Sequence, residues 1–133
     1  MPSTKLTDCH VILQKQYATA KELFEKEHQG VKVFLTATYR SKEEQDILYA
    51  KGRTTKGPKV TNAKGLQSPH NFKPSMALDV AFDVNGKTDW NDKYFILFAP
   101  YMKNPNITWG GGFKSIPDKP HYEIKNWQEY LKK

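Results

Sequence analysis

The hydrophobic period of this chain changes repeatedly, and the changes follow no regular strand–helix–strand order. In residues 4–29 the side chains Leu6, Cys9, Leu13, Tyr17, Ala20 and Phe24 recur at steps of three and four, the spacing of one buried helix face. Gly30 is a natural stop. Residues 31–38, VKVFLTAT, are rich in β-branched side chains and alternate in part, which predicts a strand. Ser41 and Glu44 then stand at capping-box spacing, and the helix they open carries Ile47, Leu48 and Ala50 and ends near Gly52. Residues 53–69, punctuated by Gly57-Pro58, Asn62 and Gly65, read as a long loop, a kind of segment that is often functional in compact domains. A strand is predicted over 76–84 (MALDVAFDV), an aromatic-rich helix over 91–103, and a short strand over 121–124. Gly110-Gly111-Gly112 and Pro117 break the chain before that strand, and a last helix starts near Asn126. Helices and strands mixed without βαβ alternation predict an α+β fold.

With 133 residues the chain is expected to form one compact domain, and a 38% hydrophobic and 13% aromatic content supplies enough apolar area for a core. The net charge of +7 suits an acidic partner, such as nucleic acid, an anionic envelope or an anionic wall polymer. Lys and Arg are spread along the chain and form no run resembling a nucleic-acid arm, so no nucleic-acid partner is expected. The single cysteine, Cys9, excludes an intrachain disulfide and reads as a small buried apolar residue. The first residues show no apolar core of a signal peptide, and no stretch approaches the ~20 apolar residues of a membrane span. The expectation is a protein made and kept in the cytoplasm until something releases it.

Potential metal ligands concentrate in three places: His70, the strand with Asp79 and Asp83, and Asp118-Lys-Pro-His121. A catalytic zinc takes three protein ligands from His and carboxylates and keeps a position for water, whose proton a nearby carboxylate can accept during attack on a peptide carbonyl. Most isolated histidines are surface or core residues, and neither HExxH nor a paired-Cys motif is present. His10 and His28 are assigned no role. Local context favours the other two. His70 lies in Ser68-Pro-His-Asn-Phe72, at the end of the long loop, and His121 follows Asp118 by three residues with Pro120 stiffening the approach. Side chains alternate along a strand, so Asp83 shares a face with Asp79, and on pattern alone either carboxylate could be the ligand. The glycine triplet lacks the Lys-Ser/Thr of a phosphate-binding loop and is discounted as one.

The order Ser-x-His, Ala-x-Asp, Asp-x-x-His resembles the D-alanyl-D-alanine metallopeptidase family, which includes vancomycin-resistance D,D-peptidases and phage endolysins that cut the L-alanyl-D-glutamate bond of peptidoglycan. Further blocks extend the resemblance over about residues 31–124. Thr38-Tyr-Arg-Ser41 with Glu44-Gln45 and Leu48-Tyr49 looks like the family's Arg-Ser…Gln…Leu block. Gly52-Arg-Thr54 and Val60-Thr-Asn-Ala-Lys-Gly65 look like the loop of the endolysin branch, and Trp109-Gly-Gly111 with Phe113 matches the glycine-rich segment before the last ligand. The resemblance implies an antiparallel sheet with flanking helices, of the hedgehog/D,D-peptidase kind. It implies zinc held by His70, Asp79 and His121, and Asp118 as general base where many relatives carry Glu. Arg40 would stabilise the carbonyl oxygen as it becomes an oxyanion, and Gln45, Thr61 and Ser68 would line the substrate cleft. One spacing departs from the family. Asp79 follows His70 by nine residues instead of seven, with Lys73-Pro-Ser-Met76 replacing the usual glycine region. Ala77-Leu-Asp79 keeps the family's Ala-x-Asp and favours Asp79 over Asp83.

The expected function is therefore that of a phage endolysin: a zinc-dependent peptidoglycan endopeptidase, monomeric, with one catalytic domain over residues 1–133 and no separate wall-binding domain. It would act on the stem peptide after a membrane-permeabilising partner opens the way to the wall, helped by attraction of its basic surface to an anionic envelope. Two alternatives stand beside it: a D-alanyl-D-alanine carboxypeptidase, and a non-catalytic zinc-stabilised binding module.

Overall fold

The computed structural model describes residues 2–131. In chain order its elements are α1 (Val11–Glu27), β1 (Val31–Ala37), α2 (Lys42–Ala50), β2 (Ala77–Val84), β3 (Lys87–Thr88), α3 (Asp92–Phe98), β4 (Ile107–Trp109), β5 (His121–Ile124) and α4 (Trp127–Leu131). The strands form one sheet in the order β1-β2-β5-β4, with β3 on β2, and every pairing is antiparallel. This is the α+β arrangement, sheet plus flanking helices, expected above.

The alternation along β2 separates core from site. Leu78, Val80 and Phe82 are fully buried on one face, where Tyr122 and Ile124 of β5 join them. The helix face read from the sequence covers them: Leu13, Tyr17, Ala20 and Phe24 of α1 are all buried. The Phe24 ring lies 5.7 Å from that of Phe82 and 5.2 Å from that of Phe98, which α3 contributes. Each large side chain so buried is worth about 1.5–3 kcal/mol relative to exposure, so this face holds the sheet against its helices. The period of two then leaves Asp79, His121 and Glu123 on the opposite face.

Several element boundaries differ from the sequence reading, and three of the differences have a visible cause. The first helix does not run from residue 4: a 3₁₀ turn, Leu6–Asp8, precedes α1, and the chain is extended at Cys9. Tertiary pairing wins there, because the His10 N–H donates to the Ser75 carbonyl (2.9 Å) and the Ser75 N–H to the Asp8 carbonyl (2.7 Å). His10 caps α1, its Nδ1 accepting the Ile12 N–H at 3.2 Å. Cys9 is the apolar filler expected, 2% exposed, with burial and then the Asp8 charge pushing its thiol up to about 12. The helix predicted over 91–103 ends at Phe98 and continues as a 3₁₀ turn, Ala99–Met102, since Pro100 has no N–H to extend the α-helical ladder. The predicted strand 31–38 closes at Ala37, where the β1–β2 register slips. The capping box of α2 is present as read: Glu44 N–H to Ser41 Oγ, 3.1 Å, and Ser41 N–H to Glu44 Oε1, 2.9 Å. Among the described residues, no helix is long and apolar enough to cross a membrane.

Candidate metal centre

Asp79 and His121 are direct partners across β2 and β5. Side chains opposite one another on one face of an antiparallel pair start about 5 Å apart, so a short carboxylate reaches the facing ring. Asp79 Oδ1 is 2.9 Å from His121 Nδ1. His70 comes from the 3₁₀ turn Pro69–Asn71. Ser68 Oγ accepts the His70 N–H at 3.2 Å, Asn71 Oδ1 accepts the Ser68 N–H at 3.3 Å, and Asn71 Nδ2 donates to the Arg40 carbonyl at 2.8 Å. So held, His70 Nε2 lies 3.2 Å from Asp79 Oδ1 and 3.3 Å from His121 Nδ1. Asp83 is elsewhere: it pairs with Lys32 and Thr88, four residues further along β2, or roughly 13 Å away at strand rise.

The outer hydrogen bonds orient both rings. His70 Nδ1 is 2.7 Å from the Thr38 carbonyl, which can only accept, so Nδ1 carries the proton and Nε2 presents a lone pair. His121 Nε2 donates to Glu123 Oε1 at 2.7 Å, which frees Nδ1 to face Asp79. Three electron-rich atoms thus converge at 2.9–3.3 Å, an arrangement that calls for a positive charge between them. Two ligands about 2.05 Å from a tetrahedral zinc are ~3.3 Å apart, so donor types and spacing both fit that ion. The electrostatics agree. Burial opposes a charge on His121, yet its hydrogen bonds to Asp79 and Glu123 hold its pKa up at about 10. Burial likewise opposes ionisation of Asp79, but the neighbouring His70 and His121 hold it well below the ordinary carboxylate range.

All the site residues read from the sequence border one cleft of about 620 Å³. Asp118 sits on the turn into β5, its N–H on the Gly110 carbonyl (2.8 Å) and its own carbonyl accepting the His121 N–H (3.1 Å). Burial and then the charge of Asp79 raise its carboxyl above the usual value, against the pull of His121, His70 and Arg40. Arg40 spans from Gln45 Oε1 (2.9 Å) to Asp79 Oδ2 (3.5 Å). Gln45 is only 1% exposed and its Nε2 holds the Ala63 carbonyl at 2.8 Å, so its amide ties Arg40 to the long loop. Ser68 is likewise engaged, as the cap of the His70 turn, and Thr61 Oγ1 accepts the Ala63 N–H at 3.1 Å. The sequence reading missed Glu123, Asn71 and the Thr38 carbonyl. Glu123 had a signal, since it stands two residues after His121 on one strand face; the other two act through backbone-scale contacts that carry no pattern.

Comparison with known proteins follows the same lines. The family described as D-alanyl-D-alanine carboxypeptidase matches residues 61–124. The peptidoglycan L-alanyl-D-glutamate endopeptidase CwlK of Bacillus subtilis (strain 168) is 36% identical over 110 residues, which are 73% of this chain and 63% of that protein. The chain therefore spans less than two thirds of this relative's length. In fold it is similar to the crystal structure of the Serratia marcescens L-Ala D-Glu endopeptidase ChiX, with a TM-score of 0.63 at 18% identity over 98% of this chain and 93% of that one. The family match over residues 61–124 and the identity to CwlK support a place in the D-alanyl-D-alanine metallopeptidase family. CwlK and ChiX both carry the name of L-alanyl-D-glutamate endopeptidases.

Proposed function

We propose that the protein is a zinc-dependent peptidoglycan endopeptidase that hydrolyses the L-alanyl-D-glutamate bond of the stem peptide. The observation that carries this reading is the convergence of His70 Nε2, Asp79 Oδ1 and His121 Nδ1 at 2.9–3.3 Å on the floor of a cleft that also holds Asp118. His70, Asp79 and His121 would hold the ion, with Thr38 and Glu123 fixing the two rings. When bound, zinc supplies Lewis-acid polarisation of the scissile carbonyl and acidifies water. Asp118 takes the proton of the attacking water on its carboxylate and returns it to the leaving amine, a task for which a raised pKa is suited. Arg40 directs its N–H groups to the carbonyl oxygen as charge develops there, pre-positioned by Gln45. Thr61 and Ser68 line the cleft and would border the peptide.

Within the family we place the chain on the endolysin branch, acting in host lysis after a permeabilising partner gives access to the wall; the Val60–Gly65 loop supports this. The decisive experiment is mass spectrometry of muropeptides after digestion, with and without chelator. New L-Ala C-termini and D-Glu N-termini that vanish with chelator are expected. The description of the matching family favours one second reading, a D-alanyl-D-alanine carboxypeptidase, which free D-Ala as product would establish instead. Asp118→Ala should abolish hydrolysis while zinc stays bound; wild-type protein that binds zinc and cuts no peptidoglycan would point to a binding module.

A further inference from the structure

We infer that Lys114 recognises the free carboxylate beside the scissile bond and so sets the substrate preference of the cleft, an inference that rests on the L-alanyl-D-glutamate reading above. In that linkage the stem continues through the γ-carboxyl of D-glutamate. The carbon bonded to the scissile nitrogen therefore carries an α-carboxylate, and this anion must enter the cleft whenever the bond does. Apart from Asp79, whose charge the proposed ion would offset, the cleft meets it with Asp118 and Glu123, both of the same sign. An anion brought among carboxylates needs a cation of its own. Among the described residues, the Lys and Arg side chains bordering the cleft are Arg40 and Lys114. Arg40 is committed to Gln45 and Asp79. Lys114 is exposed and makes no hydrogen bond or ion pair with any described residue.

Its backbone is nevertheless anchored on both sides. The preceding residue, Phe113, packs its ring 5.8 Å from that of His121 and donates its N–H to the Gly110 carbonyl at 3.1 Å. The following residue, Ser115, accepts from Asn62 Nδ2 at 2.9 Å, which joins this segment to the opposite wall of the cleft. An ammonium on a flexible stem between two fixed points can follow a carboxylate without demanding one orientation.

The test uses two synthetic stem peptides that differ in one group: D-glutamate with its free α-carboxylate, and D-isoglutamine, where a carboxamide of the same shape has no charge. The wild-type kcat/KM is expected to favour the carboxylate by about fivefold, the size of a partly exposed ion pair. Lys114→Gln should bring the ratio to about one, and Lys114→Glu should invert it. Added salt should shrink the wild-type ratio. Variants that keep the wild-type ratio, or a wild-type enzyme indifferent to the two peptides, overturn the inference while leaving the endopeptidase reading intact. If neither peptide is cut at L-Ala, that reading fails and this one with it. Lys114→Gln decides the matter should Lys114→Glu not fold.

Discussion

A methyl group added at Gly110 tests whether the turn that carries Asp118 and His121 is placed as the proposed chemistry needs. A Cβ there would stand 2.4 Å from the Asp118 carbonyl oxygen, 3.0 Å from His121 Cβ and 3.2 Å from the His121 carbonyl oxygen. Ordinary contact begins near 3.4 Å, so the turn must retreat by about 1 Å. Backbone hydrogen bonds link Gly110 to Asp118 and Asp118 to His121, so the proposed base and the proposed ligand move together. Overpacking of this kind costs ~1–3 kcal/mol of stability. A 1 Å misplacement of reacting groups costs ~100-fold in rate. Gly110→Ala should therefore lower kcat/KM on a stem peptide by about that factor, weaken zinc binding, and lower the melting temperature by several degrees. Gly112→Ala is the control from the same triplet: its Cβ would meet nothing within 4 Å, and it should behave as wild type. Wild-type turnover in Gly110→Ala, or equal damage from Gly112→Ala, would refute the steric reasoning.

Asp79→Ala should lose zinc while Asp83→Ala keeps it at one ion per chain by metal analysis; an Asp79→Ala protein with full zinc would show that the other carboxylate is the ligand. Glu123→Gln keeps a hydrogen bond to His121 but removes the charge, and zinc affinity by chelator competition should fall ~10–100-fold, with no change counting against the outer contact. Asp118 works as a base only when ionised and its carboxyl is raised, so kcat/KM should climb with pH through an acid limb lying above the ordinary carboxylate value of about 3.9. Any trace of hydrolysis left in Asp118→Ala should lack that limb; a limb that survives the substitution belongs to another group. Binding to bacterial envelopes through the +7 surface should weaken with added salt, and salt-independent binding would remove the electrostatic account.

The fold was legible wherever one pattern governed one element. The three-and-four spacing from Leu13 to Phe24 marks the face of α1 that is buried, and alternation in Ala77–Val84 marks the strand that separates core from site. Pattern failed where distant backbone decided, as at Cys9–His10, where pairing with Ser75 interrupts a continuous helical period. The candidate site was legible in its charged and imidazole groups because few residue types can hold a cation. Its supports were not. Gln45, expected only to line the cleft, is buried and couples Arg40 to Ala63. The choice between Asp79 and Asp83 shows the limit from the other side: period two puts both on one face, and only the register with His121 separates them.

That register also explains how the chain accommodates its unusual His-to-Asp spacing. Three convergent candidate ligand atoms constrain the ends of the segment between His70 and Asp79, not its length, and two extra residues add little to the entropy of closing a loop. The ends are closed locally, by the Met76 N–H on the Pro69 carbonyl at 2.9 Å. The added length is then used. Ser75, fully buried, pairs with Asp8 and His10 and so ties the loop to the start of α1. Its hydroxyl reaches the Thr38 carbonyl at 2.8 Å, the same oxygen that accepts His70 Nδ1–H at 2.7 Å. The segment that departs most from the family spacing thus holds the acceptor that fixes the His70 tautomer. The departure leaves Asp79 opposite His121, where the proposed metal centre would use it.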